Sequence, residues 1–221
     1  MVDRVEGGFV PAIATEPPRG GVADAVFAAL CAAIADGSLT SGMYVHEGAI
    51  AKALGISRTP VREAVQRLRS LGLIDAQPGH HTRVAFITPE RTAQALSVFV
   101  SLFRSVCLEV APRAEASVIV PMRAALDAFG AARDAADDDG MAVANFGFYD
   151  AGIRASRNAV LQSAIEHVVY LIRLGGLQLP ARIDVEAVHG ALRGVLDGFE
   201  GRDASVAVGA LDLLVELQIP R

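Results

Sequence analysis

The sequence contains no run of about 18 uncharged apolar residues, the length that a membrane-spanning helix needs. Its most apolar stretch, residues 95–103, ends at Arg104. Residues 1–20 hold prolines, glycines and acidic side chains but no apolar core, which predicts a flexible arm and not a signal peptide. Only two cysteines are present, and the wide separation of Cys31 from Cys107 predicts buried thiols in a reducing cytoplasm rather than a metal or redox motif.

The sequence also lacks the arrangements that mark an enzyme. It has no nucleophile with a nearby base, no glycine-rich phosphate loop and no pair of acids at helical spacing that would line a cleft. The acidic run 137–139 stands before Gly140 at a helix break, where a solvated loop is expected rather than a metal site. We therefore expect a protein that is not an enzyme, and a small helical enzyme stays as an alternative that turnover of a test compound would revive.

The distribution of charge matters more than its sum. With 20 basic and 25 acidic side chains the net charge is −5, which argues against nucleic-acid binding. Between residues 45 and 85, however, six basic side chains stand against three acidic ones, whereas residues 86–221 hold 12 basic and 17 acidic side chains. A locally basic segment on an acidic body can still meet a phosphate backbone.

Glycines and prolines divide the first part of the chain. Apolar residues at helical spacing predict a helix over 22–35, and a short helix is predicted over 47–54 with Gly55 as its left-handed stop. A third helix is predicted to begin at Thr59-Pro60, with Thr59 as N-cap, and to end at Leu71. Residues 73–86 predict two short strands around a turn.

The rest of the chain predicts helices alone, beginning after the cap at Thr88-Pro89. Breaks are expected at Pro121, Gly140, Arg157-Asn158, Pro180 and Gly201, giving helices over 90–116, 121–137, 141–156, 158–178, 184–199 and 203–218. The predicted fold is mostly α. We expect a flexible arm (1–20), a winged helix-turn-helix with a β-hairpin wing (21–86) and an all-α bundle of about six helices (87–221).

The third helix has two distinct faces. Its apolar stripe for packing consists of Val61, Ala64, Val65, Leu68 and Leu71. Another face presents Arg62, Gln66 and Arg69, with Arg58 and Thr59 at the N-terminal tip. Arginine can donate two hydrogen bonds to guanine, glutamine can pair with the edge of adenine, and the amides of a helix N-terminus can bind a phosphate. This face therefore predicts binding in a DNA major groove. Glu63 and Arg67, four residues apart, are expected to pair with each other.

Two alternatives stay open for this region. An amphipathic helix with solvated arginines is common on protein surfaces, and only its combination with the short preceding helix and the hairpin favours DNA reading. At the hairpin tip, Gly79 permits close approach to a backbone, and His80, His81 or Arg83 can touch phosphate or the minor groove. The histidines could equally form an exposed turn without a role.

Residues 22–86 resemble the winged-helix domain of GntR-type repressors. The resemblance lies in the run Ser57–Ala64, followed by Arg67-Leu68, Gly72-Leu73 and Gly79. It implies binding of operator DNA by a dimer, with the wing tip in the minor groove. It also implies Arg58 and Arg62 as the principal base or phosphate contacts and Thr59 as a phosphate contact. Taken together with the helix face described above, the predicted DNA-binding residues are Ser57, Arg58, Thr59, Arg62, Gln66, Arg69, Gly79 and His80. One departure is Gly48, where family members often carry a charged or polar residue after the equivalent of Glu47.

Residues 88–221 resemble the helical effector domain of the FadR subfamily, called FCD. The matching fragments are Phe148, residues 155–158, His189 and residues 201–203. The family commonly binds a divalent metal through Asp and His four apart and one His on each of two later helices. The corresponding positions hold Asn145, Tyr149, His189 and Leu214, a poor donor set, so we predict no metal cofactor.

The resemblance favours instead a pocket that holds a small organic ligand directly, lined by Asn145, Tyr149, His189 and Arg104. A lone histidine on an apolar face is more often a satisfied core residue. A buried arginine wants an anion, but Arg104 could equally pair with an acid of the domain such as Glu109. His167 and Arg173 are weaker candidates for the pocket.

We expect a cytoplasmic, homodimeric transcriptional repressor that binds a palindromic operator, has no membrane partner, and is released or reset by a small-molecule effector, an organic acid metabolite. Such an effector must bind unequally to two arrangements of the dimer. The alternative is a constitutive DNA-binding regulator whose effector pocket has lost its metal and ligand.

Overall fold

The computed structural model describes residues 21–77, 81–176 and 184–218. The chain divides into two compact units. Of the described residues, the first unit contains 21–77, 81–92 and 169–176, and the second contains 93–168 and 184–218.

Nine α-helices and one short 3-10 helix occupy the described residues. In chain order they are α1 (Val22–Ala35), α2 (Glu47–Leu54), α3 (Arg58–Ser70), α4 (Pro89–Val110), the 3-10 helix (Ala111–Arg113), α5 (Ala116–Asp134), α6 (Asp138–Ala155), α7 (Ala159–Gly176), α8 (Val185–Glu200) and α9 (Ala204–Gln218). Two strands, β1 (Ile74–Gln77) and β2 (His81–Val84), lie between α3 and α4. The mostly α fold with a small hairpin after the third helix is confirmed.

The first unit is built around the apolar faces of α1, α2 and α3. The predicted stripe of α3 is confirmed, since Val61, Ala64, Val65 and Leu68 are fully buried. Gly55 ends α2 in the left-handed conformation, with φ of 65°, as predicted. Burial of these three faces fixes which side of α3 points outward.

The start of α3 differs from the prediction. The N-cap is Ser57, not Thr59, and α3 begins at Arg58. Pro60 is therefore the third helical residue, where the missing N–H has no partner within a helix in any case. The proline consequently permits the helix to begin two residues earlier than expected.

A third extended segment that the sequence analysis missed completes the small sheet. β1 and β2 pair antiparallel, with Ile74 opposite Val84. On the other edge of β2, the Val84 amide donates to the Met43 carbonyl at 2.9 Å and the Val45 amide donates to the Thr82 carbonyl at 2.7 Å. Residues 43–45 thus lie against β2, and the hairpin is anchored to the segment that precedes α2.

The first unit extends beyond the predicted winged-helix boundary at residue 86. Ile87 is buried in its core, and from α7 Leu174 is buried there while Tyr170 and Leu171 pack against the same cluster. The ring of Tyr170 meets the edge of Phe27, with centroids 6.2 Å apart. The last turns of α7 therefore belong to this unit.

The second unit contains most of α4, all of α5, α6, α8 and α9, and the first half of α7. The break predicted at Pro121 is wrong, because α5 runs through this proline from Ala116. Proline removes one backbone hydrogen bond from the helix, but Pro121 lies on an exposed turn, and α5 continues past it. The break falls instead at the 3-10 helix, which contains Pro112.

Glu109, near the end of α4, holds the corner between α6 and α7. Its carboxylate accepts hydrogen bonds from the Ser156 hydroxyl, from the Arg157 amide at 2.7 Å and from Arg113 at 2.8 Å. These donors lower the pKa of Glu109, the Ser156 hydroxyl most strongly. Residues 155–158 therefore stabilise the connection between α6 and α7 through Glu109.

The segment Pro89–Arg113 is long and apolar enough to cross a membrane by length and composition. A core helix of a globular protein meets the same criterion. Phe103, Val106 and Val110 on α4 are buried in the second unit, so the apolar character of this helix is used for packing.

Candidate nucleic-acid interface

The outward side of α3 lines an open groove of about 610 Å³. Its lining residues are Arg58, Thr59, Arg62, Glu63, Gln66 and Arg67. The predicted residues Arg58, Thr59, Arg62 and Gln66 are thus brought together on one exposed face. Ser57 is exposed beside them as the N-cap, and its side chain makes no capping hydrogen bond.

The four arginines of α3 divide into two pairs with different surroundings. Across the ranges that the structure describes, Arg58 and Arg62 take part in no hydrogen bond and no ion pair. Arg67 and Arg69 are both engaged by neighbours inside the first unit. Within the described part of the chain, two guanidinium groups therefore keep all their donors available.

Arg67 is bound to α1. Its guanidinium pairs with Asp24 and lies over the ring of Phe27, with Cζ 4.0 Å from the ring centroid. The predicted pair between Glu63 and Arg67 is wrong, since Arg67 finds a carboxylate and an aromatic face on a neighbouring helix. A cation held over a ring and beside a carboxylate gains more than one paired along an exposed helix.

Arg69 joins α3 to the wing. Its Nη2 donates to the Thr82 hydroxyl at 2.7 Å, and its Nε is enclosed without a hydrogen-bond partner among the described residues. Arg69 is not among the groove-lining residues. The face predicted for it with Arg62 and Gln66 therefore contains only the latter two.

The wing carries a further arginine that the sequence analysis mentioned without adopting. The guanidinium of Arg83 lies 5.3 Å from the ring of Phe86, which is 57% exposed. Phe86 in turn packs on Gly42, where a Cβ would stand 2.6 Å from the ring and φ is +80°. The predicted tip residues Gly79 and His80 lie outside the described residues.

In the second unit, the predicted ligand residues have different immediate surroundings. Tyr149 sits among aromatic rings, with centroids 4.9 Å from Phe103 and 5.0 Å from Phe99. Burial raises the pKa of Tyr149 well above its ordinary value, so the phenol stays protonated. Asn145, one turn earlier on α6, has an enclosed Oδ1 that finds no hydrogen-bond partner in the described part of the chain.

His189 faces α5. Its Nδ1 is 3.0 Å from Arg133 Nη1, and its ring stacks on Phe129 with centroids 5.9 Å apart. Burial lowers the pKa of His189, and the charges of Arg133 and Arg193 lower it further. Among the described residues, no hydrogen bond or ring contact joins this imidazole to Asn145 or Tyr149.

The expectation that Arg104 is buried is wrong. Its side chain is 45% exposed and pairs with Asp212 on α9. The alternative, that Arg104 pairs with an acidic residue of the domain, is correct, but the acid is Asp212 and not Glu109. Glu109 instead binds Arg113, Ser156 and Arg157. His167 is exposed and Arg173 is half-buried.

The residues at the four positions that would hold the metal of an FCD domain are poor ligands for a divalent ion. Leu214 is a buried hydrocarbon, and Tyr149 is a protonated phenol enclosed by rings. Asn145 offers a neutral amide, and the Nδ1 of His189 is taken by a guanidinium. Divalent sites use carboxylates and free imidazoles, and no cluster of three such side chains occurs within the described ranges.

Comparison with known proteins agrees with this architecture. Residues 22–84 match the family model for bacterial regulatory proteins of the gntR family, and residues 101–216 match the FCD domain. Over 195 residues the chain is 29% identical to a protein of Paenarthrobacter nicotinovorans described as "Probable D-xylose utilization operon transcriptional repressor". That match covers 85% of this chain and 82% of the relative.

Two solved structures share the fold. E. coli McbR/YncC aligns with a TM-score of 0.72 at 19% identity, covering 89% of this chain and 94% of that one. A GntR transcriptional regulator from Rhodococcus sp. RHA1 aligns with a TM-score of 0.71 at 21% identity, covering 88% and 93%. At these identities the likeness concerns the fold.

Proposed function

Because the chain belongs to the GntR family of transcriptional regulators and carries an FCD domain, we propose that it binds a palindromic operator as a homodimer and represses transcription. Each copy places α3 in a major groove. The two half-sites lie about one helical turn, ~34 Å, apart, so the spacing of the two first units decides affinity. The described role of the P. nicotinovorans relative as a repressor supports the sign of the regulation.

The observation that carries this proposal is the pair of unengaged arginines on the exposed face of α3. Arg58 stands at the N-terminus of the helix and Arg62 one turn later, and both line the groove with Thr59 and Gln66. Arginine reads guanine through two acceptors, and the free amides of the first helical turn suit a phosphate. Base contacts by Arg62 and Gln66 would define sequence, and Thr59 would fix register.

The test compares Arg58→Ala and Arg62→Ala with a charge-matched control. Arg154→Ala removes an exposed arginine of α6 that pairs with Asp150 one turn away. Binding is measured by fluorescence anisotropy in one buffer, on a duplex that wild-type protein selects from a random pool. We expect each α3 variant to lose about tenfold or more in affinity, the ~1–3 kcal/mol of a base-contacting arginine, and the control to lose less than about twofold.

Equal affinities for the α3 variants and the Arg154→Ala control would overturn the assignment of this face. The oligomeric state of each variant is measured in parallel by sedimentation. A loss of affinity accompanied by dissociation of the dimer would contradict a role in the groove.

For the effector, we propose a small organic acid bound near Asn145 and Tyr149. An enclosed amide atom without a partner costs free energy, which a ligand hydroxyl would recover. A thermal-shift panel of hydroxy and keto acids tests this, because a ligand that binds the folded state raises the melting temperature. D-xylose belongs in the panel because of the role described for the P. nicotinovorans relative.

The second candidate is a constitutive regulator that has lost its effector. The hydrocarbon of Leu214 and the ring-enclosed Tyr149, at positions that hold metal ligands in the family, favour it. A panel in which no compound raises the melting temperature of Asn145→Ala or wild-type protein would select this candidate. A shift with wild type that is lost in Asn145→Ala would select the first.

We further propose that the protein has no metal cofactor, is not an enzyme, and works in the cytoplasm where the DNA lies. The absence of a metal cofactor is supported by the poor donor set at Asn145, Tyr149, His189 and Leu214. Elemental analysis of protein purified without chelator is expected to find well under one equivalent of Zn, Ni or Mn per chain. One equivalent would overturn this part of the proposal.

A further inference from the structure

Glu63 places a carboxylate on the same face of α3 as the unengaged arginines. It is exposed, and it lines the groove together with Arg62 and Gln66. No hydrogen bond or ion pair joins it to any residue that the structure describes. An acidic side chain therefore stands in the wall of a groove whose other charged members are arginines.

The nearest cations on α3 do not neutralise this carboxylate. A glutamate on an exposed helix gains stability from a cation three or four residues away. Arg67 stands at that spacing, but it pairs with Asp24 of α1 and lies over the ring of Phe27. Arg62, the preceding residue, forms no ion pair within the described ranges. Glu63 thus keeps its acceptor atoms unused in the described part of the chain.

A solvated carboxylate is ordinary on a protein surface but unfavourable on a surface that meets DNA. The phosphates repel it, and the approaching duplex removes its water. A hydrogen-bond donor on the DNA would offset both costs. The phosphates and deoxyribose rings within a duplex offer only acceptors, so such a donor belongs to a base.

The order of the groove residues around α3 indicates which base pair supplies the donor. Successive residues of an α-helix are rotated by about 100° about its axis. Arg62 and Glu63 therefore stand on opposite sides of a line through Thr59 and Gln66, with donors on one side and an acceptor on the other. The major-groove edge of a G·C pair has the complementary order, with the guanine acceptors N7 and O6 followed by the cytosine N4 amino group.

Cytosine fits this acceptor better than the other bases do. Adenine also presents an amino group in the major groove, but its acceptor N7 lies beside that group and repels a carboxylate. Guanine and thymine present acceptors, which the carboxylate rejects. Cytosine presents its N4 amino group without an acceptor of its own beside it.

We propose that Glu63 is a specificity-determining residue, which accepts a hydrogen bond from the N4 amino group of one cytosine in each half-site. The inference rests on the proposed function, because it requires α3 to lie in the major groove. The same carboxylate repels the phosphates of unrelated DNA, so it lowers non-specific binding while it selects one base pair. The arginines alone attract any sequence through their charge.

The test is a base-pair scan with wild-type protein, Glu63→Ala and Glu63→Gln. The probe is the duplex that wild-type protein selects. Each base pair of a half-site is changed in turn to the alternatives, and anisotropy measures the affinity. For wild type, replacing one particular cytosine should cost about tenfold or more. In Glu63→Ala this penalty should fall to about twofold or less while the penalties at other pairs persist, and Glu63→Gln should tolerate adenine at this position.

Glu115→Gln is the matched control for charge. Glu115 is the exposed N-cap residue of α5, and its side chain makes no capping hydrogen bond, so this variant removes the same charge from the second unit. On a duplex of unrelated sequence, Glu63→Gln should bind about twofold or more tighter than wild type because phosphate repulsion is removed. Glu115→Gln should match wild type. Circular dichroism melts verify that each variant is folded.

An unchanged scan in Glu63→Ala would overturn the proposal. A change in affinity that is equal at every base pair would also overturn it, since the carboxylate would then act by charge alone, and so would an affected pair that is A·T. Arg62→Ala separates this inference from the proposed function. A scan altered by Arg62→Ala but not by Glu63→Ala rejects only the role of Glu63, whereas scans altered by neither reject α3 as the reading helix.

Discussion

Replacing Gly198 with alanine is expected to destabilise the second unit, although alanine is the better helix former. Gly198 lies in α8 where this helix meets α9. A Cβ at this position would stand 2.4 Å from the Ala207 amide nitrogen and 2.7 Å from the Ala207 Cα. A Cβ on Gly194, one turn earlier, would stand 2.7 Å from the methyl of Ala210.

Two opposing contributions set the magnitude. Glycine to alanine inside a helix gains about 1 kcal/mol. Overpacking costs about 1–3 kcal/mol, and the upper part of that range applies because the obstacle is the backbone of α9, which cannot rotate away as a side chain can. We therefore expect a net loss of about 1–2 kcal/mol and a melting temperature lower by roughly 4–8 °C.

Gly190→Ala is the matched control, on the same helix with nothing within 4 Å of the new methyl. It should gain stability, up to about 1 kcal/mol. Urea denaturation followed by circular dichroism at 222 nm, a helix signal, measures all three proteins. The reasoning fails if Gly198→Ala is as stable as Gly190→Ala, since helix propensity would then outweigh the close approach of α8 and α9.

Two further changes test local contacts. Glu109→Gln should lose about 1–2 kcal/mol at pH 7, because charge-assisted bonds from Ser156 and Arg113 are weakened. Since the folded-state pKa of Glu109 is lowered, its contribution is present above the unfolded value near ~4.3 and is lost as pH falls, so urea curves of the two proteins should converge in acid. Ala136→Gly should gain about 0.5–1 kcal/mol, because Ala136 has φ of 52°, and a lower melting temperature would contradict this.

The helices of the first unit could be predicted closely because glycine and proline mark their ends. The bounds of α1 and α2 agree with the prediction, and Gly55 and Gly72 adopt positive φ where α2 and α3 stop. Such signals act within a few residues and are visible in the sequence. Pro60 and Pro121 misled the prediction because a proline near the start of a helix does not show which residue begins it.

Non-local partners were not visible in the sequence. Residues 43–45 join the sheet through hydrogen bonds to β2, nearly 40 residues later in the chain. A segment of three residues is too short for its side-chain pattern to predict a strand. Arg104 interrupts an apolar stretch, yet its partner Asp212 lies on α9. Periodicity gives the face of a residue on its own helix but not what another helix presents to it.

The division among the α3 arginines has the same origin. Helical spacing placed Arg62, Gln66 and Arg69 on one face, but a long side chain can turn toward a neighbour. Thr82 draws Arg69 to the wing, and Asp24 with Phe27 draws Arg67 to α1. Of the four arginines, only Arg58 and Arg62 line the groove without a hydrogen bond or ion pair to another described residue.

The ion pair that Arg67 makes within the fold affects how ionic strength should control DNA binding. Each phosphate that a basic side chain neutralises displaces condensed counterions, and the logarithmic dependence of affinity on salt steepens by about 0.9 for each. With Arg67 already neutralised by Asp24, α3 contributes at most three arginines per copy to this count instead of four, since the Thr82 hydroxyl that binds Arg69 is uncharged. The affinity of such a regulator for DNA should fall less steeply, as the salt concentration in the cell rises, than that of a regulator with four free arginines on this helix.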